Sequence, residues 1–316
     1  MRIWILSLFT VALSAQSFPP LNYSAIPNWP RLPQHQNFQE TAGVAVDGQG
    51  HVYVFHRGYN PVQEYDAEGW FVRGFGDGLF DRPHSIRVDP QGNLWTVDDG
   101  SHTVLKLDRH GRILMVFGRW RATTDTKNTM PDGSAGGALR GLRDEGVIRF
   151  NRPTDVAFGP NGDIFISDGY GNSRVMKFAA DGKFLKEWGR RGSAPGEFHT
   201  PHSIVADRRG RVYVADRENY RIQVFDAEGK FLQEWKNIGS PWGLALDAQE
   251  NLYMADGYNS RVVKLTLDGK VTGAFGSHGK QPGQFHYCHQ LAVTPDASAV
   301  YTSEILNWRP QKFARR

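Results

Sequence analysis

Three histidines stand at one place in a repeated pattern. Six segments align: AGVAVDGQGHVYVFHRG (42–58), PHSIRVDPQGNLWTVDDG (83–100), PTDVAFGPNGDIFISDG (153–169), PHSIVADRRGRVYVADR (201–217), PWGLALDAQENLYMADG (241–257) and CHQLAVTPDASAVYTSE (288–304). Their equivalent positions are Ala42, His84, Thr154, His202, Trp242 and His289, at spacings of 42, 70, 48, 40 and 47 residues. If the six units form a ring, the histidines alternate around it and converge on its axis. Three neutral imidazoles with a fourth position open make a catalytic zinc site. A single histidine in a channel mouth is more often a hydrogen-bonded polar residue. Three at alternate equivalent positions point to a metal. No motif such as HExxH is present, so symmetry must do what sequence spacing does elsewhere.

A second set of polar residues follows each unit's second β-rich run: His56-Arg57, Asp98-Asp99, Asp168, Asp216, Asp256 and Glu304. An acid in five of six units reads as a structural cap on turn amides. The departures are more informative. Arg57 and Arg217 offer guanidinium forks suited to a substrate carboxylate. Tyr170 and Tyr258 lie in near-identical DGY contexts, and periodicity does not choose between them. Cys288 precedes His289, and adjacent strand residues face opposite ways, so it belongs to the packing.

The elements that must carry these residues are short alternating runs between Gly, Asn, Asp and Pro turns, which read as antiparallel hairpins. Four strands per unit at a period of about 40 residues predict an all-β chain, a six-bladed β-propeller. The long spacing contains a Gly- and charge-rich insertion, residues 119–149. The sixth unit lacks a fourth strand, so a strand from the N-terminal side, within Asn22 to Leu32, is expected to close the ring. The chain then divides into a leader (1–16), an N-terminal closing segment (17–41), the propeller (42–313) and a tail (314–316).

Composition agrees with one large globular unit. The 316 residues include 35 Gly, are 40% hydrophobic and 22% charged, and carry a net charge of +4. That balance excludes disorder, and a single Cys excludes a disulfide scaffold. No Lys/Arg block suggests nucleic acid. Arg2, the apolar run Ile3–Leu13 and the small residues Ala12, Ser14, Ala15 and Ser17 read as a cleaved export leader. The product would be secreted, or periplasmic behind an outer membrane, monomeric and without a membrane span.

The motifs FHRG (55–58), PHSI (83–86 and 201–204), RPTDV (152–156), SDGYGNSR (167–174) and ADREN (215–219) match in order and spacing those of a known family. From about residue 40 to 313 the chain resembles the NHL-repeat propellers and, among them, the peptidyl-α-hydroxyglycine α-amidating lyases. The resemblance implies zinc on His84, His202 and His289, with Arg57 on the substrate carboxylate. It also implies Tyr170 as base and Arg217 as a second active-site arginine. The implied substrate is a peptide or small molecule ending in an α-hydroxyglycine carboxylate, cleaved to an amide and glyoxylate. A structural calcium would be held partly by the backbone carbonyls of Val44 and Ile86. Three positions depart from the family: Gln290 stands for Asp after the third histidine, Tyr287 for Met two residues before it, and Gly171 for Cys. Two other readings share the fold: a different zinc lyase or hydrolase of a small carboxylate, and a non-enzymatic exported scaffold.

Overall fold

The computed structural model describes residues 17–123 and 148–316; the expected leader and most of the insertion, 124–147, lie outside them. Six four-stranded antiparallel sheets succeed one another as blades, so the chain is the six-bladed β-propeller that the repeat predicts. The innermost strands are Thr41–Val46, Pro83–Val88, Asp155–Phe158, Pro201–Ala206, Pro241–Leu246 and Cys288–Val293. Each packs against the next around a central channel, and the last returns to the first. Among the described residues no helix is long and apolar enough to cross a membrane.

Local chemistry builds each blade. In the second, Pro83–Val88 and Leu94–Asp98 are joined by a turn in which Asp89 Oδ1 accepts from the amides of Gln91 and Asn93 at 3.0 and 2.8 Å. Gly92 takes the left-handed φ of 81° that this turn requires. Alternate side chains along each strand face the two neighbouring blades, so burial occurs between blades. Among the described residues seven apolar clusters result, six of them one at each interface, such as Phe55, Leu94 and Leu105 between blades one and two. Buried apolar side chains such as these contribute roughly 1.5–3 kcal/mol each, and a blade alone would expose both faces.

The outermost strand of the sixth blade comes from the other end of the sequence. Tyr23–Ala25 pairs antiparallel with Arg309–Arg315, Tyr23 opposite Arg315. Residues 314 and 315, read from sequence as tail, therefore belong to the sheet, because they are the partners that Tyr23 and Ser24 require. The Tyr23 hydroxyl donates to the Ala297 carbonyl at 2.7 Å. Trp29 then enters the interface between blades six and one, its ring 5.1 Å from that of Tyr301. One segment thus supplies both a missing strand and part of a missing core.

Deleting residues 17–36 exposes a sheet edge and empties the Trp29 site. We expect a loss of at least ~3 kcal/mol, a fall in melting temperature of roughly 5–10 °C by calorimetry; an unchanged melting temperature would refute this role.

Candidate metal centre

The histidines reach the channel through a local irregularity. At His84, His202 and His289 the pairing of the innermost strand slips, between Pro83 and Ser85, Pro201 and Ser203, and Cys288 and Gln290. Such a bulge leaves one residue out of the ladder and re-aims its side chain. The acids at the ends of the second strands hold the approach to these bulges. Asp98 accepts from the Arg82 amide at 2.9 Å, Asp216 from His199 at 2.7 Å and Glu304 from His286 at 3.0 Å. In the first blade His56 Nδ1 takes that part, accepting from the Gln39 and Gly58 amides.

The three imidazoles are buried and their ligating nitrogens lie within 4.8 Å of one another. Each is oriented by the next blade. His84 Nδ1 contacts the Thr154 carbonyl at 2.6 Å, His202 Nδ1 that of Trp242 at 2.7 Å, and His289 Nδ1 that of Ala42 at 2.6 Å. A carbonyl can only accept, so each Nδ1 carries the hydrogen and each Nε2 presents a lone pair toward the axis. Burial holds all three imidazoles neutral, pushing His84 and His202 well below the usual range and His289 down to about 3, with nearby cations adding to the effect.

The Tyr170 hydroxyl lies 3.0 Å from His84 Nε2 and 2.9 Å from His202 Nε2. It has one proton to offer two lone pairs. Three converging acceptors with so little donation fit a divalent cation, and their backbone-fixed tautomers are those of metal-ligating histidines. Tyr258 meets no imidazole; it packs edge-on against Trp242 at 5.1 Å and is 44% exposed. Tertiary placement thus separates two tyrosines that periodicity left equivalent.

The arginines surround Tyr170. Arg217, at the start of the short 3-10 turn Arg217–Asn219, lies 3.5 Å from its hydroxyl through Nη1, and its guanidinium is 5.4 Å from the ring. Arg152 covers the ring at 5.2 Å. Burial raises the Tyr170 hydroxyl above the ordinary phenol value, and Arg217 and Arg82 pull it back. Arg57 is held by the Pro83 carbonyl at 3.1 Å and by Glu40 at 3.1 Å. Sequence reasoning missed Arg82 and Arg152 and read Asp99 only among the turn-capping acids: both guanidiniums pair with its buried carboxylate, at 2.8 and 3.1 Å. The signal was the Arg-Pro step entering the second and third innermost strands. Cys288 is buried in the core between blades five and six.

The channel layer next to the histidines does not fit calcium. Arg87 donates to Asp155 through Nε at 3.0 Å and through Nη2, and Nη2 also reaches Ser203 Oγ at 3.2 Å and the Leu244 carbonyl at 3.0 Å. The Val44 and Ile86 amides donate to Gln290 Oε1 at 3.3 and 3.5 Å. Calcium takes six to eight oxygens, with carboxylates prominent; here the one carboxylate of the layer is neutralised by a guanidinium and Gln290 is uncharged. The side chains of this layer, an internal ion pair and Gln290, thus do not fit the calcium expected on Val44 and Ile86. Gly43 lets this layer close, since a Cβ there would stand 3.0 Å from both Gln290 Oε1 and the Ile86 nitrogen.

The chain has recognisable relatives. A family profile described as a 6-bladed beta-propeller matches residues 153–264, and an NHL repeat profile matches residues 80–107. NHL repeat-containing protein 3 of Homo sapiens is 34% identical over 278 residues, 84% of this chain and 70% of that protein. Peptidyl-alpha-hydroxyglycine alpha-amidating lyase 2 of Drosophila melanogaster is 28% identical, over 90% of this chain and 74% of that protein. Peptidylglycine alpha-amidating monooxygenase of Rattus norvegicus is 33% identical over 57% of this chain, which spans 20% of that longer protein. A solved streptogramin B lyase superposes with a TM-score of 0.62 at 14% identity, covering 96% of this chain and all of that one, a likeness of fold.

Elemental analysis of purified protein is expected to find about one divalent metal per chain, and His202→Ala to fall below about a fifth of that. Arg87→Leu leaves Asp155 buried without its partner and is expected to cost about 3–5 kcal/mol in denaturant unfolding. A calcium-selective chelator should leave the melting temperature of the unaltered protein where it was.

Proposed function

This chain belongs to the NHL-repeat family of six-bladed β-propellers, and on that footing we propose that it is a metal-dependent carbon–nitrogen lyase. Its substrate would be the carbinolamide of a C-terminal α-hydroxyglycine, and its products an amide and glyoxylate. The observation that carries the reading is the Tyr170 hydroxyl within hydrogen-bond reach of two imidazoles of the trihistidine cluster and beside Arg217. Relatives whose names specify alpha-amidating lyase support the same reaction class. Export through the N-terminal leader is part of the proposal.

A zinc ion on His84, His202 and His289 would supply Lewis acidity toward a substrate oxygen. The residues of the chain then divide the remaining work. Arg57 would take the substrate carboxylate, which would replace Glu40, itself 40% exposed, on the guanidinium. Tyr170, as phenolate, would accept the proton of the carbinol hydroxyl. The O–H electron pair becomes the C=O bond of glyoxylate, and the C–N electron pair leaves with the amide nitrogen. The proton on Tyr170 passes to that nitrogen, so the tyrosine ends as it began. Arg217 and Arg82 favour the phenolate against burial, and Arg217 and Arg152 flank the ring.

Tyr170→Phe should lower kcat for glyoxylate release from an α-hydroxyglycine peptide by about 10²- to 10⁴-fold while keeping bound metal. Intact turnover would remove Tyr170 from the role; no glyoxylate from the unaltered, zinc-loaded protein would end the lyase reading.

A further inference from the structure

The pocket around the histidines is lopsided. On the side of blades two and three stand Arg82 and Arg152, paired through Asp99, with Arg152 over the Tyr170 ring. At the equivalent place in blade six stands Tyr287, and the fifth blade puts Trp242 where alternate blades put histidine. Trp242 lies 5.6 Å from the His202 ring and 5.8 Å from that of His289. Tyr287 stacks on it at 5.4 Å and 21°, and Tyr258 meets both rings at 5.1 and 6.0 Å. Tyr220 extends the row, 6.2 Å from Tyr258. Four aromatic rings therefore run in sequence from the His202 and His289 rings to solvent.

The inner half of this row belongs to the core between blades five and six, Trp242 as a buried member and Tyr287 packed against it; the outer half does not. Tyr258 and Tyr220 are 44% and 53% exposed and belong to none of the apolar clusters, and among the described residues no hydrogen bond engages either hydroxyl. Tyr287 has a left-handed backbone, φ 60°, but Arg152 and Thr200 share that conformation at equivalent places. The repeat imposes the backbone; the aromatic side chain is this blade's own. Arg217 lies 4.7 Å from the Trp242 ring as well as beside Tyr170, which fixes the cationic end of the row at the reacting centre.

We infer that Trp242, Tyr287, Tyr258 and Tyr220 form a subsite for a flat apolar group, aromatic by preference, on the nitrogen side of the substrate. The inference rests on the lyase reading, which places the carboxylate at the arginines and so sends the acyl group the other way. One extended residue spans about 3.3–3.6 Å, so the residue preceding the hydroxyglycine falls against Trp242 and Tyr287, and the next reaches Tyr258 and Tyr220. Aromatic rings gain from offset and edge contacts with such a surface beyond the area they bury.

The test measures calorimetric binding of two unreactive peptides to the full-length protein, N-benzoyl-Phe-Gly and N-acetyl-Ala-Gly, with glyoxylate release from their hydroxyglycine counterparts in parallel. Binding should favour the aromatic peptide by about tenfold or more, and Tyr258→Ala with Tyr220→Ala should cut that ratio to about threefold or less. In turnover the same change should appear in KM rather than kcat. Equal binding of the two peptides, or a preference that survives the double substitution, overturns the subsite. A preference in binding without glyoxylate from either counterpart overturns the lyase reading and leaves the subsite standing.

Discussion

Everything at the axis depends on a hydrogen bond that crosses from one blade to the next. Each histidine gives its Nδ1 hydrogen to the carbonyl of the equivalent residue in the following blade: His84 to Thr154, His202 to Trp242, His289 to Ala42. Blades two, four and six supply imidazoles, and blades five, three and one supply the carbonyls that orient them. The alternation of residue types around the ring is thus a division of labour. A histidine at all six positions would crowd the axis; one at each alternate position leaves room for a ligand and fixes every tautomer.

That interaction makes ring closure a functional matter. The third imidazole is oriented by Ala42, so its geometry depends on the contact between the last blade and the first. The same contact is filled by Trp29, and the last blade is completed by Tyr23–Ala25. Beneath the histidines, the Arg87–Asp155 pair joins blades two and three and reaches blades four and five through Ser203 and the Leu244 carbonyl. A buried ion pair of this kind contributes little net stability yet is costly to break. Its consequence here is a channel layer fixed by side chains in the place where a metal ion was expected.

Around Tyr170 the electrostatics pull in two directions. Burial favours the neutral phenol; Arg217 and Arg82 favour the phenolate, and Asp99 opposes them. Asp99 also pairs with Arg82 and Arg152, which tempers the positive charge of that wall. The opposite wall is aromatic. Arg217 stands between the two walls, beside Tyr170 and 4.7 Å from the Trp242 ring.

The amino-acid sequence by itself determined the fold and the three imidazoles. Both are recorded in a repeat: strand alternation, turn residues and the reference position recur every 40 or so residues, and equivalence in a ring translates directly into position in space. The residues that break the repeat were legible as departures but not as contacts. Tyr170 and Tyr258 looked alike because their sequence neighbours are alike; what separates them is the reference residue of their own blade, since the small Thr154 goes with Tyr170 on the imidazoles whereas Trp242 itself lies against the imidazole rings and Tyr258 packs on it. Arg87 carried no signal at all, since its partners Asp155, Ser203 and Leu244 come from three other blades. Val44 and Ile86 show the same limit: their backbones do border the channel, but what fills it depends on Gln290 and Arg87 arriving from elsewhere. The sequence specifies which groups a blade offers; the closed ring decides which of them meet, because the contacts at the axis join residues that are distant along the chain.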